Sequence, residues 1–344
     1  MITVFNWQGR EWIAGLLLLF VMLGACAPAA TPANTPTPPA PLTAPSQPTA
    51  TSVPPTATTA PPTVTPAPKP KVKVVSTTTQ VTALTKIVGG DRIELRGILQ
   101  ASVDPHEYEP TSDDVKAFAN AQVIFINGVG LEKWLQKTIQ NSGATAPVVD
   151  ASTGVKIRTG KAEDGTAEDD PHIWHAAPNA IIMLHNIRNG LSRADAVNAE
   201  TYSANAAAYE TKLNDLDAYI KAQVATIPTA NRKVVTNHDA FGYYFERYGL
   251  IMVGSVIPSM DTNFQPSAKE LALLVNQIKA QKVRAIFTET SINPQLAQQI
   301  AREAGVTVVD GALYGDTLGP AGSGAETLDG MLRANTDLIV KTLK

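Results

Sequence analysis

The sequence predicts an α/β protein made of two parallel-sheet (β/α) lobes joined by one long helix. Three observations carry that expectation. Short apolar strands alternate with helical segments from Lys71 to Asp150, and the same rhythm returns from Lys233 to Leu343. Between them, Ala199 to Thr226 runs without Gly or Pro and is rich in Ala, Leu, Glu and Lys. Strand–helix alternation at this spacing belongs to βαβ units, whose crossovers cover both faces of a parallel sheet.

In order, Val72–Ser76 reads as a buried strand and Gln80–Val88 as a helix with Leu84 and Ile87 on one face. Ile93–Leu99 is a second strand, and Asp113–Asn120 a helix entered through Thr111-Ser112. Val123–Ile126, a helix over Leu131–Gln140, and Val148–Asp150 complete the first lobe's sheet. A helix over Asn179–Asn189 is expected to stop at Gly190. The 28 residues Ala199–Thr226 would then span about 42 Å as one helix, stiff enough to allow only small closure motions. Strands at Lys233–Thr236, Ile251–Ser255, Ala285–Thr288 and Thr307–Val309 alternate with helices at Phe241–Tyr248, Ser267–Ala280, Pro294–Ala304 and Glu326–Leu343. Ser267 with Glu270 three residues on is a capping box that marks one helix start. The expected lobes are residues 71–197 and 227–344, with the linking helix at 198–226.

The first 70 residues do not read as globular. Arg10 precedes the apolar run Ile13–Leu23, which is shorter than the ~20 residues of a membrane-spanning helix and fits a signal peptide over residues 1–25. Leu23-Gly24-Ala25-Cys26 resembles the bacterial lipoprotein processing box, in which the cysteine is lipidated. Cys26 is the chain's one cysteine, so no intrachain disulfide forms. Ala27–Pro70 holds 15 of the 25 prolines among Thr, Ala and Ser, a composition too poor in apolar surface to fold. Extended, it reaches on the order of 100 Å. Residues 26–70 are therefore expected to be a lipidated Cys and its tether.

The chemistry sits in the five histidines. His106, in Asp104-Pro105-His106-Glu107, follows a strand; His172, in Asp170-Pro171-His172-Ile173-Trp174-His175, follows the acidic run Glu163–Asp169; His238, in Asn237-His238-Asp239, follows the second lobe's first strand. Open α/β sheets place ligand sites at the C-terminal ends of their strands, so these three are expected to converge on one metal ion in the cleft. Asp316, in Tyr314-Gly315-Asp316-Thr317, is the fourth candidate, although a Gly-Asp pair in a loop is usually a turn. Three imidazoles and one carboxylate make a closed tetrahedral shell for a divalent ion. Glu289 is expected to orient a histidine N–H rather than bind metal. His175 is expected in a structural or metal-entry role, His185 as helix packing, and Glu163–Asp169 as a solvated loop. A net charge of −3 and no basic cluster argue against nucleic acid.

Taken together, these segments resemble the metal-binding solute-binding lipoproteins of zinc/manganese ABC importers, the long-helix-linked cluster A-I type. The resemblance runs from about Lys71 to Lys344, through Asp104–Pro110, Asn127–Trp134, Asp170–Trp174, His238–Tyr243 and Phe287–Thr290. It implies that His106, His172, His238 and Asp316 are the ligands and that Glu289 is not one. It also implies a monomer outside the cytoplasm of a bacterium, lipid-anchored at Cys26, serving an ABC permease with a separate ATPase. Two departures bear on the metal. The histidine-rich loop common in zinc members is absent from Lys161–Asp169, and His175 stands where typical members carry Leu. Many manganese members have Glu where this chain has His238, and three nitrogens suit zinc better than manganese. Zinc is the expected cargo, manganese the second. Affinity is expected to fall as the histidines protonate near pH ~6.5.

The alternatives are a surface-anchored zinc hydrolase, which needs an open coordination position and a general base, and an adhesin or structural lipoprotein with a vestigial site. No His-Glu-x-x-His occurs in the chain.

Overall fold

The structure is a computed structural model that describes residues 70–161 and 166–344. The signal segment, Cys26 and the tether up to residue 69 lie outside the described residues.

The first lobe is formed by β1 (Val72–Ser76), α1 (Thr79–Gly89), β2 (Ile93–Gly97), α2 (Ser112–Asn120), β3 (Val123–Ile126), α3 (Leu135–Ser142) and β4 (Val148–Asp150). Its four strands are parallel, in the order β2-β1-β3-β4. A short antiparallel hairpin, β5 (Thr159–Lys161) with β6 (Ala167–Asp169), follows. It occupies ground expected to be a solvated loop, and its second strand delivers the chain to His172. Two helices come next, α4 (Ala177–Ala194) and α5 (Ala199–Ala225). The second lobe contains β7 (Lys233–His238), α6 (Gly242–Tyr248), β8 (Ile251–Ile257), α7 (Ala268–Gln281), β9 (Ala285–Glu289), α8 (Gln295–Ala304), β10 (Thr307–Leu313) and α9 (Leu328–Leu343). Its sheet is again parallel, in the order β10-β9-β7-β8. Two parallel-sheet lobes linked by a long helix is thus the observed fold. Among the described residues, no helix is long and apolar enough to cross a membrane.

The outer face of each sheet has its own core. Phe118, Ile124 and Leu135 close the first under α2 and α3; Leu274, Ile278, Ile286 and Ile300 close the second under α7 and α8. The inner faces share one continuous core, from Val74 and Phe125 through Trp174, Leu184 and Leu213 to Phe241, Met331 and Leu343. α5 contributes Tyr202, Ala206, Tyr209, Leu213, Leu216, Ile220 and Val224, a buried stripe at spacings of three and four. Each fully buried aliphatic or aromatic side chain contributes about 1.5–3 kcal/mol. A hinge that opened this core widely would lose many such terms.

Two helices depart from expectation for identifiable reasons. α4 runs through Gly190, because that glycine is a point of close approach: a Cβ there would lie 2.5 Å from Phe125 Cε1. α3 starts at Leu135 rather than Leu131, because Gly128, Val129 and Gly130 all take positive φ. The buried Glu132 carboxylate ties that turn by accepting from Asn127 N, Gly128 N and Thr77 Oγ1. The capping box at Ser267–Glu270 is present.

Candidate metal centre

Strand ends and the loops after them carry the candidate side chains to one point. His106 sits in the loop after β2, its N–H donating to Asp104 Oδ1 at 2.8 Å. His172 follows β6, where Asn127 Nδ2 holds the preceding Pro171 carbonyl at 3.0 Å. His238 is the last residue of β7, paired with Ile257 of β8. Asp316 lies beyond β10 in a loop gripped from the first lobe: Trp174 Nε1 donates to the Gly315 carbonyl at 3.1 Å, and Gln80 Nε2 to that of Asp316 at 2.8 Å. Gly315 must lack a side chain, since a Cβ would fall 2.0 Å from Glu289 Oε2.

One potential ligand atom from each of His106, His172, His238 and Asp316 lies within 4.8 Å of the others. Nε2 of His172 and of His238 are each 3.3 Å from an Asp316 oxygen, and that of His106 is 3.8 Å away. Donors placed tetrahedrally at ~2.0–2.1 Å from an ion stand about 3.3 Å from one another. These approaches lack hydrogen-bond alignment. All three Nε2 atoms and both Asp316 oxygens are buried without a hydrogen-bond partner among the described residues. Buried unpaired polar atoms cost roughly 1–3 kcal/mol each, so five around one point mark a place built for something that satisfies them together. A divalent cation fits this donor set.

Two of the three rings are braced from behind. Asp170 Oδ1 accepts from both the backbone N–H and Nδ1 of His172, at 3.0 and 2.9 Å. Glu289 Oε1 does the same for His238, at 3.0 Å in each case. With Nδ1 as the donor, each Nε2 lone pair faces the cluster. Glu289 thus sits behind the His238 ring, bonded to its Nδ1. Asp170 was not singled out beforehand; its signal is the Asp-Pro-His spacing, in which a carboxylate two residues back folds onto the ring.

Electrostatics separate the rings. Burial works against charge on His172, but Asp170 and Asp316 outweigh it and push its pKa up to about 9. His238 is likewise buried and raised well above its ordinary value, by Asp316 and then Glu289. For Asp316, burial is outweighed by the His238 and His172 charges, which hold it well below the usual carboxylate range. Burial dominates at His106 and lowers it to about 4. Burial, then the nearby Asp316 charge, lift Asp104 to about 6. Proton competition on the metal-free site therefore centres on His172 and His238 and reaches above neutrality, not only near pH ~6.5 as the sequence suggests.

The remaining histidines stay outside the cluster. His175 is fully buried, its ring centroid 4.5 Å from that of Phe241 and tilted 37° to it, with neither nitrogen hydrogen-bonded among the described residues. Burial lowers its pKa to about 3, so it is a neutral packing group. His185, expected as helix packing, lies between α4 and α5: its Nε2 is 2.9 Å from Glu210 Oε2.

With this geometry in place, the comparisons with known proteins are specific. The family model of ZnuA, the zinc-uptake complex component A, periplasmic, matches residues 74–342. A manganese-binding lipoprotein, MntA, of Halalkalibacterium halodurans is 32% identical over 272 residues, 79% of this chain and 88% of that protein. An iron ABC transporter substrate-binding lipoprotein, MtsA, of Streptococcus pyogenes serotype M1 is 30% identical over 279 residues, 79% of this chain and 89% of its own. Among solved structures, the periplasmic zinc-binding protein TroA from Treponema pallidum superposes with a TM-score of 0.74 at 28% identity, covering 80% of this chain and 99% of its own. MntA and TroA are named for the metal they bind, and MtsA as an ABC transporter substrate-binding lipoprotein; the relatives are solute-binding transport proteins rather than enzymes.

Proposed function

Because the chain belongs to the periplasmic zinc-uptake component A family, we propose that it captures one divalent transition-metal ion outside the cytoplasm and delivers it to an ABC permease driven by a separate ATPase. Zinc is the favoured cargo and manganese the second. The observation that carries this reading is the set of five buried atoms without a hydrogen bond among the described residues on His106, His172, His238 and Asp316, with one potential ligand atom of each residue within 4.8 Å of the others.

In this reading the three imidazoles and the Asp316 carboxylate are the ligands, and Asp170 and Glu289 orient two of them. Three nitrogens and one oxygen favour zinc, whereas manganese prefers oxygen donors and a larger coordination number. The relatives carry manganese, iron and zinc in their names, so the preference for zinc here rests on the donor set alone. His106 and His172 come from the 71–197 lobe, His238 and Asp316 from the 227–344 lobe, so the ion bridges the two. A closed shell leaves no position for a hydrolytic water. The protein works as a monomer, held to the bacterial membrane by a lipid on Cys26 and the Pro/Thr-rich tether.

The test is a calorimetric titration of the metal-free protein with zinc and manganese in competition. One equivalent of tight zinc, lost in His172→Ala, is the expected result. Manganese binding that persists against zinc would overturn the choice of metal and keep the transport role. Failure to bind either would sink the capture reading.

A further inference from the structure

Arg158 takes part in no step described so far, yet it reaches the brace behind His172. Its Nη1 donates to Asp170 Oδ2 at 2.7 Å, while Asp170 Oδ1 is committed to His172. Its Nε donates to Glu246 Oε2 at 2.8 Å. The contact with Glu246, whose side chain is 70% exposed, is the kind of surface pair that contributes little. The contact with Asp170, only 1% exposed, is different: a buried carboxylate oxygen deprived of its donor is costly.

The second lobe is shaped around this guanidinium. Gly242 opens α6, and a Cβ there would lie 1.7 Å from Arg158 Nη1. Tyr243, the next residue, accepts from the Arg158 backbone N–H at 2.9 Å and donates to the Asp170 carbonyl at 3.0 Å. Its ring centroid is 5.4 Å from the guanidinium carbon. Three features of α6, a missing side chain at Gly242, the Tyr243 hydroxyl and the Glu246 carboxylate one turn on, thus converge on Arg158 and on the residue that orients His172.

We infer that Arg158 is a positioning residue of the metal centre: it locks the Asp170 carboxylate in the orientation that aims His172 at the ion, and it does so only while α6 of the second lobe is packed against it. Retention of the ion by a first-lobe histidine is thereby tied to closure of the second lobe. This rests on the capture reading above.

The test measures zinc dissociation from the full chain, using a chelator in excess, for Arg158→Met, Gly242→Ala, Asp170→Asn and the double variant Arg158→Met/Asp170→Asn. Outer carboxylate partners of metal-bound histidines are worth about 10–100-fold in affinity, and the expected acceleration in Arg158→Met is about tenfold. Gly242→Ala, which displaces the guanidinium and leaves Arg158 in the sequence, is expected to act in the same direction and carries the test should Arg158→Met fail to fold. The decisive readout is coupling: in the Asp170→Asn background, Arg158→Met is expected to add less than about twofold, since a purely structural role would add its full factor again. Wild-type dissociation in both Arg158→Met and Gly242→Ala, or an undiminished factor in the double variant, would overturn the inference while leaving capture intact. Absence of zinc binding by the wild type, or zinc binding unaffected by His172→Ala, would overturn the capture reading and this inference with it.

Discussion

The three histidines of the cluster are not equivalent. His172 and His238 each have a carboxylate bonded to Nδ1, and each keeps an affinity for protons above neutrality. His106 has no carboxylate hydrogen-bonded to its ring among the described residues, and burial keeps it neutral down to about pH 4. It is also the one that lines a small surface cleft, beside Gly130, Lys133, Pro171, Met260 and Asp261. The site therefore combines two rings fixed by carboxylates that raise their proton affinity with one ring that burial holds neutral. Fixed rings supply retention. The neutral ring offers its lone pair at any physiological pH.

The largest effect that would sharpen this contrast is removal of a ring. A four-ligand zinc site is worth ~10–16 kcal/mol, so one ligand contributes about a quarter, on the order of a hundredfold to a thousandfold in affinity. Alanine at His106, His172 or His238 is expected to show such losses by competition titration, with the metal-free proteins still folded by circular dichroism. A variant that unfolds without metal, when the wild type does not, would count against separate folding and binding roles. Next in size are the braces. Glu289→Gln and Asp170→Asn are expected to weaken zinc binding about 10–100-fold, and equal affinity to wild type in both would remove the distinction between braced and unbraced rings.

The pH dependence follows with its sign. In the metal-free protein, a raised histidine pKa means that the proton stabilises the folded state at low pH, and that this contribution is lost as pH rises through about 9 for His172. Binding must displace that proton, so apparent zinc affinity is expected to climb as pH rises toward about 9, by up to about tenfold per pH unit for each proton released. Titration in buffers of different ionisation enthalpy at pH 7 checks this. A binding event that releases no proton would contradict it. His106→Ala should leave the pH slope unchanged, because that ring is already neutral. The smallest effect is expected outside the cluster: His175→Leu removes two unpartnered nitrogens from an apolar pocket, so zinc affinity should stay within about twofold and the melting temperature should hold or rise. A large loss of affinity would give His175 a part in the site.

Much of this was legible in the sequence, for physical reasons. Strand positions were readable because apolar runs such as Val123–Ile126 and Val148–Asp150 are bounded by turn residues, and His106 and His238 were readable as candidates because they follow such runs. Asp316 was only a weak candidate from its loop, since one acid in a loop carries no periodic signal, and the resemblance strengthened it. The hairpin at β5 and β6 was missed because three-residue strands have no pattern to detect. Gly190 was misread as a stop because its role, admitting Phe125, belongs to packing. Partnerships across the fold were invisible: Gln80 is 236 residues from Asp316, and Arg158 is 12 from Asp170, with neither pair joined by any local spacing.

The most direct measurement is X-ray absorption at the zinc edge on the loaded protein. The expected spectrum is a four-coordinate first shell of nitrogen and oxygen at ~2.0–2.1 Å, with outer-shell scattering from three imidazole rings. A six-coordinate, oxygen-rich shell, a sulfur contribution at ~2.3 Å, or fewer than three rings would contradict a site formed by His106, His172, His238 and Asp316.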